Sequence, residues 1–320
     1  MRLAFILCLG FAGLPAQGGI SVIEQPCADA PGCLVAFAYE GGYPPLPRQL
    51  PRVLDGDVLR MVTTDRSGAA PSVVDMALLD GHILSMTDIS SNGPRATWAV
   101  VSPDGATVLF GGTGEAGQEA ATYGRDGADL AKATGPAAIA LSAYAFTNAF
   151  AFDPDGTLQL TLRGEDAAAL PPLRLAAGGE VAGGVGPGFM EHIEGVLAGN
   201  TEAWFQPGLT AVTGYNVDGQ PSFVEIRPED GPALRLAEEP DLQGRHEYLR
   251  PMLSPDGSRL AVTYADTADT ARTQLIVFST ESPGAVWSAV TGDKASYVWA
   301  PDGRLVVISD GGARITLYRP

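Results

Sequence analysis

The chain is poor in charge. Only 18% of its 320 residues are Asp, Glu, Lys or Arg, too few for a coiled coil or a salt-bridged helical protein. The charge present is one-sided. Thirty-seven acidic residues against 20 basic ones give a net charge of −17, and Lys132 and Lys294 are the only lysines. A chain this acidic is repelled by phosphate backbones and anionic bilayers, which argues against nucleic acid and lipid surfaces as partners. Histidine is scarce too: His82, His192 and His246 are far apart in sequence, and there are 3 cysteines. A structural zinc site needs four such ligands close together, so no metal or other cofactor is expected. There is no Gly-x-Ser-x-Gly elbow and no Gly-x-x-x-x-Gly-Lys loop. That leaves no conventional α/β-hydrolase or P-loop nucleotide site. No apolar stretch reaches the roughly 20 residues that span a bilayer.

The longest apolar run lies at the start. Met1-Arg2 is a short basic head, Leu3 to Leu14 is apolar, and Pro15-Ala16-Gln17-Gly18-Gly19 supplies small residues for cleavage. This is the pattern of a secretory signal. It assigns residues 1–18 to the signal and 19–320 to the mature chain, with no membrane insertion after removal. Cys8 comes too early for lipid attachment and lacks the small-residue pattern of that site. Cys27 and Cys33 then remain as a pair flanking Ala28-Asp29-Ala30-Pro31-Gly32. In an exported chain such a pair reads as a disulfide. So short a loop gains only about 2 kcal/mol on the chain-entropy account. The expected compartment is the periplasm.

What the chain has in quantity is glycine and proline, 40 and 25 residues, together with 45% hydrophobic residues. That is a turn-rich chain with enough apolar material for a sizeable core. The turns recur. Val101-Ser102-Pro103-Asp104-Gly105, Phe152-Asp153-Pro154-Asp155-Gly156, Leu253-Ser254-Pro255-Asp256-Gly257 and Trp299-Ala300-Pro301-Asp302-Gly303 share one pattern. Phe205-Gln206-Pro207-Gly208 is a degenerate copy, and Leu54-Asp55-Gly56 fits one period upstream. The prolines are 51, 53, 48 and 46 residues apart. Proline presets φ at the first corner, Asp accepts a local backbone hydrogen bond, and Gly takes positive φ freely. Strand-like runs follow each turn, among them Thr107–Phe110, Leu260–Tyr264 and Leu305–Ser309. The residue two before each proline is always bulky. A repeat of this length has room for four strands, as Arg272–Phe278 and Ala285–Val290 show in the unit from Pro255.

The fold expected is all-β, a six-bladed β-propeller of four-stranded blades. The 20 residues from Pro301 onward and the stretch from Gly19 to Pro51 each fall short of a blade. The two termini are therefore expected to share one, with Ile20–Glu24 and Cys33–Tyr39 as the N-terminal strands. That arrangement leaves no free edge at the ring closure.

The Ser-Pro-Asp-Gly turns followed by Leu-Ala-Val-type strands resemble the β-propeller repeat of the TolB-like family. The resemblance runs over the whole mature chain, though the turn at Pro207 lacks the Asp. It implies the fold. TolB carries an α/β domain before its propeller, whereas strands here begin directly after the signal. The chain thus resembles a free-standing TolB-like propeller, and the family's envelope partners do not carry over.

Few residues suggest chemistry. Gly112-Thr113-Gly114-Glu115-Ala116-Gly117 matches a dinucleotide fingerprint, but the repeat phase puts it in a hairpin without a βαβ unit. Asp266-Thr267-Ala268-Asp269-Thr270 reads as a solvated turn. Met190-Glu191-His192-Ile193-Glu194 reads as a loop, with His192 beside two carboxylates, and His246-Glu247 lies in the matching place one repeat later. In a propeller the first strand of each blade lines the channel, where ligand sites gather. Five positions before the prolines stand Trp98, Ala149, Glu202, Arg250 and Ser296, with Arg95 and Glu247 a few residues earlier. Candidate channel-mouth residues are therefore Arg95, Trp98, His192, Glu202, His246, Glu247 and Arg250, and no catalytic residue is assigned.

Two readings of function follow. One is a non-catalytic exported scaffold, monomeric, that binds a periplasmic protein or peptide. The other is a metal-assisted propeller hydrolase, lactonase-like, with an ion in its channel.

Overall fold

The computed structural model describes residues 21–320 apart from 28–30, 66, 68, 90–92, 116, 125, 146, 154–156, 162–171, 177–180, 183–187, 199–200, 215–220, 240–245, 267–272 and 293–294. The proposed signal at 1–18 therefore lies outside the described residues, as does the Pro154-Asp155-Gly156 turn.

The protein is all-β, with two short α-helices among the described residues. The chain begins with β1 (Ser21–Gln25), β2 (Cys33–Glu40) and the two-residue β3 (Gln49–Leu50). Sheet one holds β4 (Arg52–Leu54), β5 (Val58–Thr63), β6 (Ser72–Ala77) and β7 (Ile83–Asp88). Sheet two holds β8 (Arg95–Val101), β9 (Thr107–Gly114), β10 (Gly117–Gly124) and β11 (Asp129–Thr134), with β3 added beyond β8. Helix α1 (Gly135–Ala143) follows. Sheet three is β12 (Phe150–Phe152), β13 (Leu158–Leu160), β14 (Leu173–Leu175) and β15 (Val181–Ala182), and helix α2 (Phe189–Ala198) comes next. Sheet four is β16 (Thr201–Gln206), β17 (Leu209–Gly214), β18 (Ser222–Pro228) and β19 (Leu234–Glu239). Sheet five is β20 (His246–Leu253), β21 (Arg259–Asp266), β22 (Gln274–Ser279) and β23 (Ala285–Val290). Sheet six runs β24 (Ser296–Trp299), β25 (Leu305–Ser309), β26 (Arg314–Tyr318), β2, β1. Apart from the parallel pair β3–β8, every strand pair is antiparallel. Strands from both ends of the chain thus build one sheet, with β2 on β26 through Ala36↔Thr316 and Phe37↔Ile315.

The repeated turn behaves as its residue types dictate. Gly105 N–H donates to the Ser102 carbonyl and Gly257 N–H to that of Ser254, both at 2.9 Å. The glycines sit at φ +71° and +72°, where a Cβ would be strained. Asp104 accepts from the Ser102 hydroxyl at 2.6 Å and the Ala106 N–H at 2.9 Å. Asp256 accepts from the Ser254 hydroxyl at 2.6 Å and the Ser258 N–H at 3.1 Å. Each serine oxygen also accepts from the N–H five residues on, Thr107 or Arg259. A carboxylate with that many donors is stabilised in its charged form. Asp256 accordingly titrates at about 2, chiefly because of the Ser254 hydroxyl.

Consecutive sheets are stitched at their turn ends. Arg52 Nε of sheet one reaches the Val101 carbonyl of sheet two at 3.1 Å. Asn148, at the entry to sheet three, exchanges two hydrogen bonds with the Phe205 backbone of sheet four. Gln206 Nε2 donates to the Pro255 carbonyl of sheet five at 3.0 Å. Trp299 Nε1 of sheet six donates to the Met252 carbonyl of sheet five at 3.0 Å. Arg304 of sheet six pairs with Asp57 of sheet one. Sheets two and three meet through β11 and β14. The buried residues follow the same circuit. One cluster joins sheets six and one through Phe37, Met61 and Val306. A second joins sheets one and two through Val62, Val101 and Phe110. A third runs from sheet two through sheet six. Each wedge between neighbouring sheets is therefore filled with apolar side chains, the main source of stability in such a fold.

The Cys27–Cys33 disulfide is present, with Cα atoms 5.8 Å apart. It holds the turn between β1 and β2, whose Pro31 carbonyl accepts the Trp287 Nε1–H of sheet five at 2.7 Å.

Candidate functional site

The first strands of sheets four, five and six bring two positions of the repeat column, Glu202 and Arg250, together with Tyr297. Arg250 lies in β20 at a register break between Leu249 and Met252. Its φ is +53°, a left-handed conformation that non-glycine residues rarely adopt. Groups from both neighbouring sheets hold it there. Its N–H donates to the Glu202 carboxylate of β16. Its carbonyl accepts from the Tyr297 hydroxyl of β24. Its guanidinium Nη1 donates to the Ala295 carbonyl at 3.0 Å. Tyr297 is buried, and burial pushes its phenol well above its ordinary pKa, so it stays a neutral donor at any physiological pH. A small cleft opens beside this group, lined by Arg250, Met252, Ser296, Tyr297, Gln49 and Leu50.

The last two of those residues belong to a strap. After β2 the chain Pro44-Pro45-Leu46-Pro47-Arg48-Gln49-Leu50-Pro51 turns inward and lies against sheets one, two and six. Leu46 N–H donates to the Val62 carbonyl at 2.8 Å and Thr64 N–H to that of Pro44 at 3.1 Å. Gln49, only 1% exposed, satisfies its amide on the Leu46 carbonyl at 2.8 Å and the Val62 N–H at 2.8 Å. Its backbone N–H donates to Ser296 Oγ at 3.1 Å, and that hydroxyl donates to the Pro47 carbonyl at 2.7 Å. Beyond it, β3 pairs in parallel with β8, Gln49↔Ala99 and Leu50↔Val100. Prolines suit a segment that must expose no free N–H on its unpaired side.

The other residues singled out from sequence sit elsewhere. Trp98 shares the column but is buried, and its indole lies over Gly111 of β9, where an added Cβ would be 2.3 Å from the ring. Arg95 is exposed at the start of β8, its carbonyl tight against Gly112. His192 is half-buried in α2, with Nε2 3.1 Å from the Tyr144 hydroxyl just beyond α1. The segment Met190–Glu194 is thus helical, not a loop, because Phe189 and Ile193 fall one turn apart and both bury completely. His246 and Glu247 open β20, opposite Asp266 and Ala265, and their side chains lie outside the described residues. The Gly112–Gly117 stretch is the β9–β10 hairpin. Of the acidic turn after β21, residues 267–270 lie outside the described residues.

Among the described residues, no group of three or more His, Cys, Asp or Glu side chains gathers in a metal-binding arrangement. Among the same residues, no helix is long and apolar enough to cross a membrane. Sequence reasoning missed Tyr297 and Gln49. Tyr297 stands next to the column position Ser296 and was within reach of the alignment. Gln49 carries no local signal of its burial.

No protein-family model matches the chain, and no curated protein matches it. Solved structures do. The Cps50 (Swd1) β-propeller domain of Myceliophteria thermophila aligns at TM-score 0.47 and 10% identity, over 94% of this chain and 100% of that one. TolB from Acinetobacter baumannii aligns at 0.43 and 15%, over 84% of this chain and 65% of that one. The tricorn protease aligns at 0.45 and 16%, over 87% of this chain, which spans only 25% of the protease. None of these proteins' activities passes to this chain at such identities.

Proposed function

We propose that the chain is an exported, free-standing six-bladed β-propeller of the TolB-like type that binds a protein or peptide at one mouth of its channel, without catalysis. Residues 1–18 would be the signal and 19–320 the propeller, with sheets one to six as its blades and sheet six as the blade shared by the termini. The circuit of contacts from each sheet to the next, and from sheet six to sheet one, supports this reading. So does the disulfide, which suits an oxidising compartment such as the periplasm.

One observation carries the site. Arg250 is held at positive φ by Glu202 and Tyr297. A strained residue costs about 1–3 kcal/mol and persists only where its surroundings over-determine it, as at ligand clamps. The result is a guanidinium fixed by rigid strands of three sheets. Such a group suits a carboxylate or a row of peptide carbonyls. The cleft is small, so a partner would engage the rim through extended chain rather than enter as a small molecule.

The test has two parts. First, the mature protein is melted with excess calcium or zinc and again with EDTA. A bound ion at a hundredfold excess over its Kd adds about 2.7 kcal/mol. The scaffold reading expects no shift, whereas a rise of several degrees would turn the assignment to the channel hydrolase. Second, a photo-crosslinker at Thr201, exposed in β16 beside Glu202, should trap a periplasmic partner, and Arg250→Gly should abolish that adduct. Glycine takes the positive φ without strain and removes the side chain with its guanidinium. An undiminished adduct would remove Arg250 from the binding site.

A further inference from the structure

Leu54-Asp55-Gly56 is the first copy of the repeated turn, with Leu54 in the place of the proline. Two residues before that place stand Val101, Phe152, Phe205, Leu253 and Trp299 in the other copies, and Arg52 here. One guanidinium thus occupies a column of apolar side chains. Arg52 lies in β4 directly opposite Arg60 of β5, so the two share a face of sheet one. That face looks onto sheet two, where Leu54 closes on Gly105 and Arg52 Nε donates to the Val101 carbonyl at 3.1 Å. Two other arginines of sheets one and six hold acids of the chain. Arg60 is paired with Asp75, and Arg304 with Asp57 and Asp302. Arg52 has no such partner among the described residues, and its Nη1 and Nη2 donate no hydrogen bond there. It is half-buried, and burial pushes its pKa down to about 10.

A charge drawn out of water is costly unless an opposite charge meets it. We propose that Arg52 is an anion-binding site, its Nη1–Nη2 fork taking the carboxylate of a ligand from outside the chain. The fork offers two parallel N–H donors, which match the two oxygens of a carboxylate. A singly charged ligand is selected because the chain's own net charge of −17 repels a dianion such as phosphate more strongly. The carboxylate belongs either to a small free acid or to the end of a partner chain. The position explains why an arginine is kept where the other five copies hold an apolar side chain: packing alone is served better by leucine or valine. Arg250 stands five before Pro255, whereas Arg52 stands two before Leu54, so the two guanidiniums occupy different levels of the repeat. The Arg52 site is independent of the Arg250 group and stands or falls without it.

Titration of the mature protein with sodium acetate, against sodium chloride at equal ionic strength, tests it. Acetate is expected to move the Arg52 Nε–H NMR signal to saturation. It should raise the melting temperature by about 2 °C at about tenfold excess over its Kd. Chloride is expected to do neither. Arg52→Lys keeps the charge and loses the fork, and its acetate affinity is expected to fall about tenfold. Arg52→Leu restores the apolar column, so it is expected to melt no lower than wild type in chloride and to ignore acetate. Trialanine as the free acid, with its amide as control, separates the two sources. Tighter binding than acetate assigns the site to a chain end, and equal or weaker binding assigns it to a small free acid. A wild type that answers acetate and chloride alike overturns the proposal. So does an acetate response that survives in Arg52→Leu, or tighter binding of inorganic phosphate than of acetate.

Discussion

Sheets five and three solve the same packing problem with different material. The strands of sheet five are 8, 8, 6 and 6 residues long. Those of sheet three cover 3, 3, 3 and 2 of the described residues. Sheet five fills its wedges with its own side chains, and its Tyr248 packs on Tyr264 and Phe278. Among its described residues, sheet three offers Leu158, Leu160, Leu173 and Leu175, with Phe150 and Phe152 partly buried against them. Helices flank it on both sides in sequence. Ala137, Ala138, Ala140 and Leu141 of α1 and Phe189 and Ile193 of α2 join the same buried cluster. The helices touch each other, and the Tyr144–His192 hydrogen bond ties them. A position in the circuit thus needs apolar volume and satisfied backbone, and helices can supply both where strands are short.

That contrast can be broken, and the largest effect should come from the strand-built side. Arg60 and Asp75 of sheet one form a bidentate pair, both contacts 2.6 Å, with side chains 4% and 9% exposed. Arg60 also donates to the Gly105 carbonyl of sheet two. Arg60→Ala strips a buried carboxylate of its cation, with the Ser85 hydroxyl still donating to it, and should cost about 3–5 kcal/mol. Loss of amide protection should spread over sheets one and two. Replacing both partners by Met and Leu should restore most of the loss, which separates the unpaired charge from the lost volume.

Ile193→Ala is the matching cut on the helix-built side. Removing a fully buried isoleucine should cost about 2–3 kcal/mol, the lower part of the range, because a short helix can settle into the cavity. Faster hydrogen exchange should be confined to α1, α2 and sheet three. If exchange rises equally around the whole molecule, sheet three is not separately supported and the comparison fails. Tyr144→Phe keeps the ring and removes the hydroxyl that bonds His192. It should cost about 1 kcal/mol, and His192→Ala in that background should add less than it does in wild type.

The same two regions show what a sequence makes legible. The turns of sheets two, five and six could be read because a Pro-Asp-Gly corner is a local device whose parts are adjacent. Reading one gave the repeat phase, and the phase gave the column that brings Glu202 and Arg250 together. The pairing of β2 with β26 followed from length alone. The helices escaped because α1, Gly-Pro-Ala-Ala-Ile-Ala-Leu-Ser-Ala, is built of small and apolar residues on every side, with no face to betray a period. α2 was hidden by its Glu-His-Ile-Glu stretch, although Phe189 and Ile193 are spaced as a helix requires. Trp98 shows the limit of the column. It stands in register with Arg250, yet turns into the core because Gly111 leaves room for the indole. Gln49 is buried by partners 13 and 247 residues away, which no local pattern encodes.

The smallest effect sharpens the comparison at the turn itself. Asp256 has its pKa lowered to about 2 by the Ser254 hydroxyl and the Ser258 N–H and hydroxyl. Its unfolded value is near 3.9. A depressed carboxylate contributes stability above its unfolded pKa and loses that contribution as pH falls through the folded one. The window is therefore about pH 4 down to pH 2. Asp256 is exposed, so solvent screening keeps the effect small. Ser254→Ala removes the largest cause and should move the titration of Asp256 upward, read by carboxyl carbon shifts against pH. The Pro301 turn already has alanine at that position, Ala300, and Asp302 accepts the Arg304 guanidinium instead. Salt should leave the wild-type Asp256 titration nearly unmoved, because hydrogen bonds and not a neighbouring cation lower it. A Ser254→Ala protein in which Asp256 titrates as in wild type would mean that the serine hydroxyl is not what holds the turn.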